Sequence, residues 1–331
     1  MKFLCIGAGS IGKRHLRNLL SIGVKAEDLA ASDPREDRRA EVAALGVTAL
    51  FATYEEALAA ADYDAAIVCS PTNLHIPQAI DLARRGIHIL MEKPLGHNLD
   101  GIGDFEAAVA EYDVVVLMAY IFRFSPLTAK VREILEAGTI GKVLFVRGEF
   151  SEYLPDWHPY EDYRSFYMAE KLQGGGSILD QSHIMDLVHH LFGGFETVYA
   201  LNGNLSSLEV RSDDYSELTV RMKNGIVATI HTDMFGRDHK KELEIKGETG
   251  NIYWNSTDNL VTLYDPETKA KQVFRKFPAD FNLNYIEEIK HFIACCEGRE
   301  KPRATLQEGI ETMELILAAE RSVTSGAAET V

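Results

Sequence analysis

Hydrophobic and polar positions change rhythm once along this chain of 331 residues. Through the first third, short continuous apolar runs alternate with stretches of helical period. The runs are 3–6, 29–32, 65–69, 88–91 and 114–119; helical stretches include 11–22, 34–45, 54–61 and 74–85. Strands that are apolar on both faces need cover on both, so this pattern predicts a parallel sheet between helices, a doubly wound α/β domain. Boundary chemistry agrees: Thr53 with Glu56 forms a capping-box pattern, and Gly86 stops the helix before His88. After residue 123 one helix (127–137) leads into a β-rich stretch: 143–150, 197–202, 216–222, 226–232, 242–246, 251–254 and 260–264. Asn224-Gly225 between two of these runs is a hairpin signal, because both residues tolerate positive φ. Strands joined by short turns pair antiparallel, which predicts an α+β domain with a large open sheet. Helices at 285–297 and 306–325 close the chain. The expected domains are 1–122 and 123–331, with the closing helices able to pack back on the first.

Composition narrows the partners. Hydrophobic residues make up 46% and charged residues 25%, which excludes bulk disorder. Lysine plus arginine is 34 against 50 acidic residues, a formal charge of −16. So acidic a surface repels phosphate backbones and anionic lipid, so neither nucleic acid nor membrane is an expected partner. No apolar run approaches the roughly 20 residues of a spanning helix. The four cysteines form no spacing pattern, which fits reduced thiols in the cytoplasm.

Four segments carry chemistry. Gly7-Ala8-Gly9-Ser10-Ile11-Gly12 follows the first strand and opens the first helix. Gly7 suits the tight turn, Gly9 a close approach by pyrophosphate, and Gly12 close helix–sheet packing. An acid, Asp33, ends the second strand, where a carboxylate accepts from the ribose 2′-hydroxyl of NAD. Arg35 and Arg38 beside it leave NADP open, as ligands for a 2′-phosphate. Ser70-Pro71-Thr72-Asn73-Leu74-His75 and Glu92-Lys93-Pro94 lie at carboxyl ends of predicted strands, where an open α/β sheet takes its ligand. A lysine desolvated there is suited to proton transfer, although the tripeptide alone also reads as a surface turn. Later, Gly174-Gly175-Gly176-Ser177 opens a helix close to which something else passes. On a continuous helical wheel Asp180, His183, Asp186 and His190 share one side, opposite an apolar face. Asp180 beside His183 makes a base with an orienting carboxylate. The group lacks a zinc ligand set, so no metal is assigned. His189 and His190 read as packing or surface residues.

Together these segments resemble the glucose–fructose oxidoreductase / inositol dehydrogenase (Gfo/Idh/MocA) family over essentially the whole chain. The 7–12 motif with His15, Ser70 to His75, Glu92-Lys93-Pro94 and Tyr120…Arg123-Phe124-Ser125-Pro126 match in order and spacing. So do Asp180…His183…Asp186 and Asn284-Tyr285…Glu288…Phe292. The resemblance implies a Rossmann domain followed by a domain with an open sheet. It further implies NAD(P)-linked oxidation or reduction of a sugar-type alcohol, with Lys93 and His183 lining the catalytic centre. Two departures stand out. Asp180 and His183 are separated by two residues where the family commonly has three, and Tyr120-Ile121-Phe122-Arg123 lacks the family's frequent asparagine.

On this reading the cofactor contacts are Gly7, Gly9, Ser10, Ile11, Gly12, Asp33, Arg38, Ser70, Pro71, Thr72, Asn73, His75, Glu92, Lys93 and Arg123. Lys93, His183 and Asp180 are catalytic; either His183 or Lys93 can take the hydroxyl proton. Asp186 joins them around the substrate, as do Tyr153, Trp157, Tyr163 and Arg164 of the 151–173 loop, which also holds His158, Tyr160 and Tyr167. The aromatics of that loop suit a sugar ring, or else anchor the loop to the core. The expected partner is a small sugar, inositol or nucleotide-sugar derivative. A homodimer or homotetramer is also expected, in which Val220, Ile230 and Leu243 offer apolar surface to a second sheet. Two rival readings share the fold: a dinucleotide-bound sensor or repressor, and an enzyme using NAD transiently during elimination or glycoside hydrolysis.

Overall fold

Phe3, Leu4, Cys5 and Ile6 are each at most 3% exposed, as a strand covered on both faces must be. In the computed structural model, which describes residues 1–157 and 161–331, they form the central strand of a six-stranded parallel sheet. The elements follow as β1 (Phe3–Ile6), α1 (Ser10–Ser21), β2 (Leu29–Ser32), α2 (Glu36–Ala43), β3 (Ala49–Phe51) and α3 (Tyr54–Ala60). Then come β4 (Ala65–Val68), α4 (His75–Ala83), β5 (His88–Met91), α5 (Ile102–Glu111) and β6 (Val116–Met118). Strand order is β3-β2-β1-β4-β5-β6, which reverses between β1 and β4 and brings the 7–12 and 70–75 loops together at the switch point. Thr53 Oγ1 accepts from Glu56 N at 3.2 Å, and Gly86 takes φ +71 after α4. Two elements before residue 122 were not predicted: β3, a three-residue edge, and α5, whose Gly103 interrupts the helical pattern.

The chain divides into two units, Met1–Ile121 with Phe281–Leu306 and Phe122–Asp280 with Gln307–Val331. The second begins with α6 (Pro126–Glu136), β7 (Val143–Tyr153), α7 (Leu154–Trp157), α8 (Ser177–Asp180) and α9 (His183–Phe192). Its sheet continues through β8 (Phe195–Gly203), β9 (Tyr215–Met222), β10 (Val227–Asp233), β11 (Phe235–Gly247), β12 (Asn251–Asn255), β13 (Leu260–Asp265) and β14 (Ala270–Phe274). Helix α10 (Asn282–Cys296) returns to the first unit; α11 (Leu306–Ser325) and β15 (Glu329–Thr330) complete the second. The nine-stranded order is β14-β13-β12-β11-β7-β10-β9-β8-β15, antiparallel except for β7 with β10. Asn224-Gly225 turns β9 into β10, with Gly225 at φ +86.

Register decides which face of this sheet is covered. Leu218, Ile230, Gly148, Leu243, Trp254 and Val261 form one row across six strands. That row faces the helices: a Cβ on Gly148 would come 2.7 Å from Ile184 of α9. Val220, Ile230 and Leu243 are each at most 1% exposed within the chain, so they are not the surface expected for a second sheet. The side chains one residue away, on the opposite face, include Tyr199 and Leu201, 43% and 51% exposed.

Candidate active site

In the first unit the three glycines of the 7–12 loop differ in what they leave room for. Gly7 has φ +93, and a Cβ there would collide with the Cys69 carbonyl; one on Gly12 would collide with the Gly7 carbonyl. Both are required by the protein's own packing. Above Gly9 a Cβ would meet only the Arg38 guanidinium, at 3.8 Å. Gly9 is also the N-cap of α1 and offers the first turn no side-chain cap. The open space and the helix N-terminus together fit a dinucleotide pyrophosphate. Asp33 closes this end: Oδ2 accepts from Ala8 N at 2.8 Å, Oδ1 accepts from Arg35 N at 2.9 Å, and Arg38 Nη1 lies 3.6 Å from Oδ2. A carboxylate has about four lone-pair sites, so capacity remains for a ribose hydroxyl.

The neighbouring loops are tied to the same sheet. Ser70 Oγ donates to Gln78 Oε1 at 2.6 Å, and the His75 ring nitrogens lie 2.9 Å from the Pro94 and Ser70 carbonyls. Burial pushes the His75 pKa down. Thr72 is buried, Pro71 is exposed, and Asn73 Oδ1 is buried without a hydrogen-bond partner among the described residues. His75 and Glu92 are thus engaged by the protein itself. Glu92 Oε1 is 2.7 Å from His15 Nε2, and Oε2 accepts the Lys93 N–H at 3.2 Å. Lys93 follows, partly exposed, with a cis bond to Pro94.

The second unit rearranges its nominated residues. The helix predicted through Asp180 and His183 is broken: α8 ends at Asp180, and α9 starts at His183. The continuous wheel therefore does not hold for Asp180, whose Oδ1 accepts from the Tyr167 hydroxyl at 2.8 Å. Asp186 is fully buried and bidentate with Arg123, and Arg123 Nη1 donates to Glu308 Oε1 at 2.6 Å. Burial raises the Asp186 pKa, and Arg123 opposes that rise. For Arg123, burial works downward but Asp186 and Glu308 carry its pKa upward. His190 is pushed down to about 3, first by burial and then by Arg123 and Arg132, so it stays neutral.

The neighbour for which Gly175 and Gly176 make room is the protein itself. Cβ atoms there would collide with the Tyr167 and Met168 carbonyls and with the Asp213 carboxylate, which accepts from Ser177 Oγ and Ile178 N. In the aromatic loop, Trp157, Tyr163 and Tyr167 pack against a cluster of Leu154, Phe166, Met168 and Met234, so these three anchor the loop. Arg164 pairs with Asp162 and Glu209, each at 2.7 Å. Tyr153 lies beneath the Arg237 guanidinium, 3.5 Å from the ring centre. His158 and Tyr160 lie outside the described residues.

His183 keeps a distinctive setting. It is partly exposed at the start of α9, 5.3 Å from the Phe122 ring and nearly parallel to Phe150 at 6.4 Å. Lys241 Nζ stands 5.0 Å over that Phe150 ring and 2.6 Å from Glu152 Oε1. Sequence reasoning missed Phe150 and Lys241. The available signal was a lysine in register with the inward-facing Leu243 and Ile245 of the same strand.

The comparisons with known proteins agree with this layout. Residues 1–120 match the oxidoreductase family, NAD-binding Rossmann fold, and residues 128–253 the GFO/IDH/MocA C-terminal domain. Myo-inositol 2-dehydrogenase of Thermotoga maritima is 29% identical over 98% of this chain and 96% of its own. D-xylose 1-dehydrogenase (NADP(+)) 2 of Haloferax volcanii is 28% identical over 99% of both. Among solved structures, levoglucosan dehydrogenase in complex with NADH superposes with a TM-score of 0.88 at 20% identity, covering 100% of this chain and 99% of that one. With a cofactor cradle after β1, Glu92-Lys93-Pro94 after β5, an open nine-stranded sheet and two adjoining family models, the chain belongs to the Gfo/Idh/MocA family of oxidoreductases.

Proposed function

We propose that this oxidoreductase transfers hydride between a nicotinamide dinucleotide and a hydroxyl or keto group of a sugar, inositol or nucleotide-sugar derivative. The observation that carries this reading is the space left above Gly9 at the N-terminus of α1, which the protein's own packing does not require. Ser10, Ile11 and Gly12 would present backbone N–H groups to the pyrophosphate, and Asp33 would accept from the adenosine ribose. The loop from Ser70 to His75 would border the nicotinamide half. NAD is the expected cofactor; Arg38, beside both Asp33 and Gly9, is the residue through which NADP would be accepted. The bound nicotinamide supplies the hydride acceptor or donor. The relatives named for inositol and xylose support the substrate class.

The chain's own part is the proton. His183 is assigned to accept the hydroxyl proton, and Lys93 to stabilise the developing alkoxide. Their roles can be exchanged without changing which residues matter. Asp180 then acts on His183 or on the substrate from its bond with Tyr167, while Asp186 acts from inside an ion pair. Tyr153 shares β7 with Phe150, against which His183 packs, and Lys241 is paired opposite Phe150 on β11.

No helix among the described residues is long and apolar enough to cross a membrane. The four cysteines are all unpaired thiols, which supports a reducing compartment, the cytoplasm. We also infer a homodimer or homotetramer formed through the open sheet face that carries Tyr199 and Leu201. Sedimentation showing only single chains at micromolar concentration would remove that inference.

The decisive assay is formation of NADH from NAD, or of NADPH from NADP, by the purified protein with a panel of myo-inositol, D-xylose, levoglucosan and UDP-sugars. Turnover of a ring polyol with NAD ahead of NADP is expected. No binding of either dinucleotide by calorimetry would overturn the reading.

A further inference from the structure

The run Leu179-Asp180-Gln181-Ser182-His183-Ile184 holds neither glycine nor proline, yet the helix stops inside it. α8 closes at Asp180, Gln181 leaves the helical range at φ −90 and ψ 20, and α9 opens at His183. Across the break the backbone bonds tighten to three-residue spacing: Ser182 N donates to Leu179 O at 3.3 Å and Ile184 N to Gln181 O at 3.2 Å. Ser182 does not supply the break, since its hydroxyl is buried and caps nothing in α9. Where glycine and proline are missing, a side chain engaged away from its own helix is the physical cause that remains.

Gln181 is that side chain. It is 0% exposed, and its Nε2 donates to the Asp233 carbonyl at 2.7 Å. The acceptor is itself fixed. Asp233 ends β10; its Oδ1 accepts from Phe235 N at 2.9 Å and Gly236 N at 2.6 Å, and its Oδ2 lies 2.9 Å from His231 Nε2. The carbonyl is thus part of the sheet, in a strand paired on both sides by β7 and β9. The break separates two residues that one continuous helix would hold as neighbours on the same side. Asp180, before it, accepts from the Tyr167 hydroxyl, while His183, after it, lies beside the Phe122 and Phe150 rings.

We propose that Gln181 is a positioning residue for His183: its carboxamide, tied to the Asp233 carbonyl, ends α8 and sets the start of α9, and with it the direction of the His183 ring. What His183 does there rests on the proposed function, but where its ring lies is readable without substrate or dinucleotide. Two readouts report it. One is the ring-proton resonance of His183, displaced by the neighbouring Phe122 and Phe150 rings. The other is carbethoxylation of His183 by diethyl pyrocarbonate at mildly acid pH, quantified against the other histidines by mass spectrometry. Gln181→Met keeps the length and loses the donor. It should move the His183 resonance and change its relative carbethoxylation rate by roughly two- to tenfold, the scale of one hydrogen bond. Gln181→Glu, buried and so neutral at that pH, keeps an O–H donor and should reproduce the wild-type resonance and rate.

A role confined to stability would leave both readouts unmoved in folded Gln181→Met. In the wild type, the Gln181 carboxamide protons should exchange with solvent more than about tenfold slower than those of exposed Gln272, a result that needs no variant to fold. Unchanged His183 readouts in folded Gln181→Met, a Gln181→Glu variant altered as far as Gln181→Met, or Gln181 carboxamide exchange as fast as that of Gln272 would each overturn the proposal. None of these results depends on whether the protein oxidises a sugar.

Discussion

The 7–12 loop and the 174–183 segment both offer glycines, a helix start and polar side chains, yet the fold treats them differently. In the first, Gly7 and Gly12 serve packing while Gly9 faces space that packing does not use. In the second, Gly175 and Gly176 are closed over by Asp213 and the Tyr167–Met168 backbone, Asp180 holds Tyr167, and Asp186 holds Arg123. A motif residue points to a ligand when the protein leaves its capacity unused. It points to architecture when a neighbour already engages it. His183 differs from Asp180 and Asp186 in being partly exposed, beside the Phe122 and Phe150 rings.

Mutations can break this contrast. The largest effect is expected at the two residues assigned to the proton: Lys93→Ala and His183→Ala should each lower kcat by about two to four orders of magnitude. NADH affinity, measured by fluorescence, should be nearly unchanged. Near wild-type turnover in both variants would remove the catalytic assignment. Next, Arg123→Met should destabilise the protein by roughly 3–5 kcal/mol, because it leaves the buried Asp186 carboxyl without its partner. The double variant with Asp186→Leu should recover much of that loss in urea unfolding. If Arg123→Met instead impairs only catalysis at unchanged stability, Asp186 belongs with the substrate ligands.

The glycines sharpen the contrast directly. Gly9→Val should weaken NAD binding by more than about tenfold with little change in unfolding midpoint, since its side chain enters the pyrophosphate's space. Gly176→Ala should do the reverse, destabilising by about 1–3 kcal/mol and sparing NAD affinity. Equal behaviour of the two would erase the distinction.

The smallest effect concerns the open sheet face. His231 sits between Asp233 and Glu217, at 2.9 and 2.8 Å, which raise its pKa from 6.5 to about 9. Because the folded value lies above the unfolded one, its contribution is complete below pH 6.5 and lost as pH rises through about 9. A denaturation series across that window should show the decline in the wild type and a flatter profile in His231→Gln.

Much of the first unit was legible in the sequence, because its signals are local. Continuous apolar runs specify buried parallel strands, and the glycine motif specifies its own turn and helix start within six residues. The 182–186 region was less so. Its polar spacing suits one continuous helix, but the chain breaks that helix after Asp180, where Gln181 donates to the carbonyl of Asp233. No local pattern encodes a partner 52 residues away.

What the sequence determined by itself was the fold class, the cradle after β1 and the identity of the residues able to do chemistry, since periodicity, turn chemistry and side-chain type are properties of neighbours in the chain. Only the tertiary structure decided which of those residues are already engaged. It paired Asp186 with Arg123, and it engaged Glu92 with His15 and the Lys93 backbone. It also turned Val220, Ile230 and Leu243 inward instead of outward. The physical reason is register: strands alternate faces at every residue, so a pattern apolar on one side fixes the alternation, while the helices that pack on the sheet decide which side is inside.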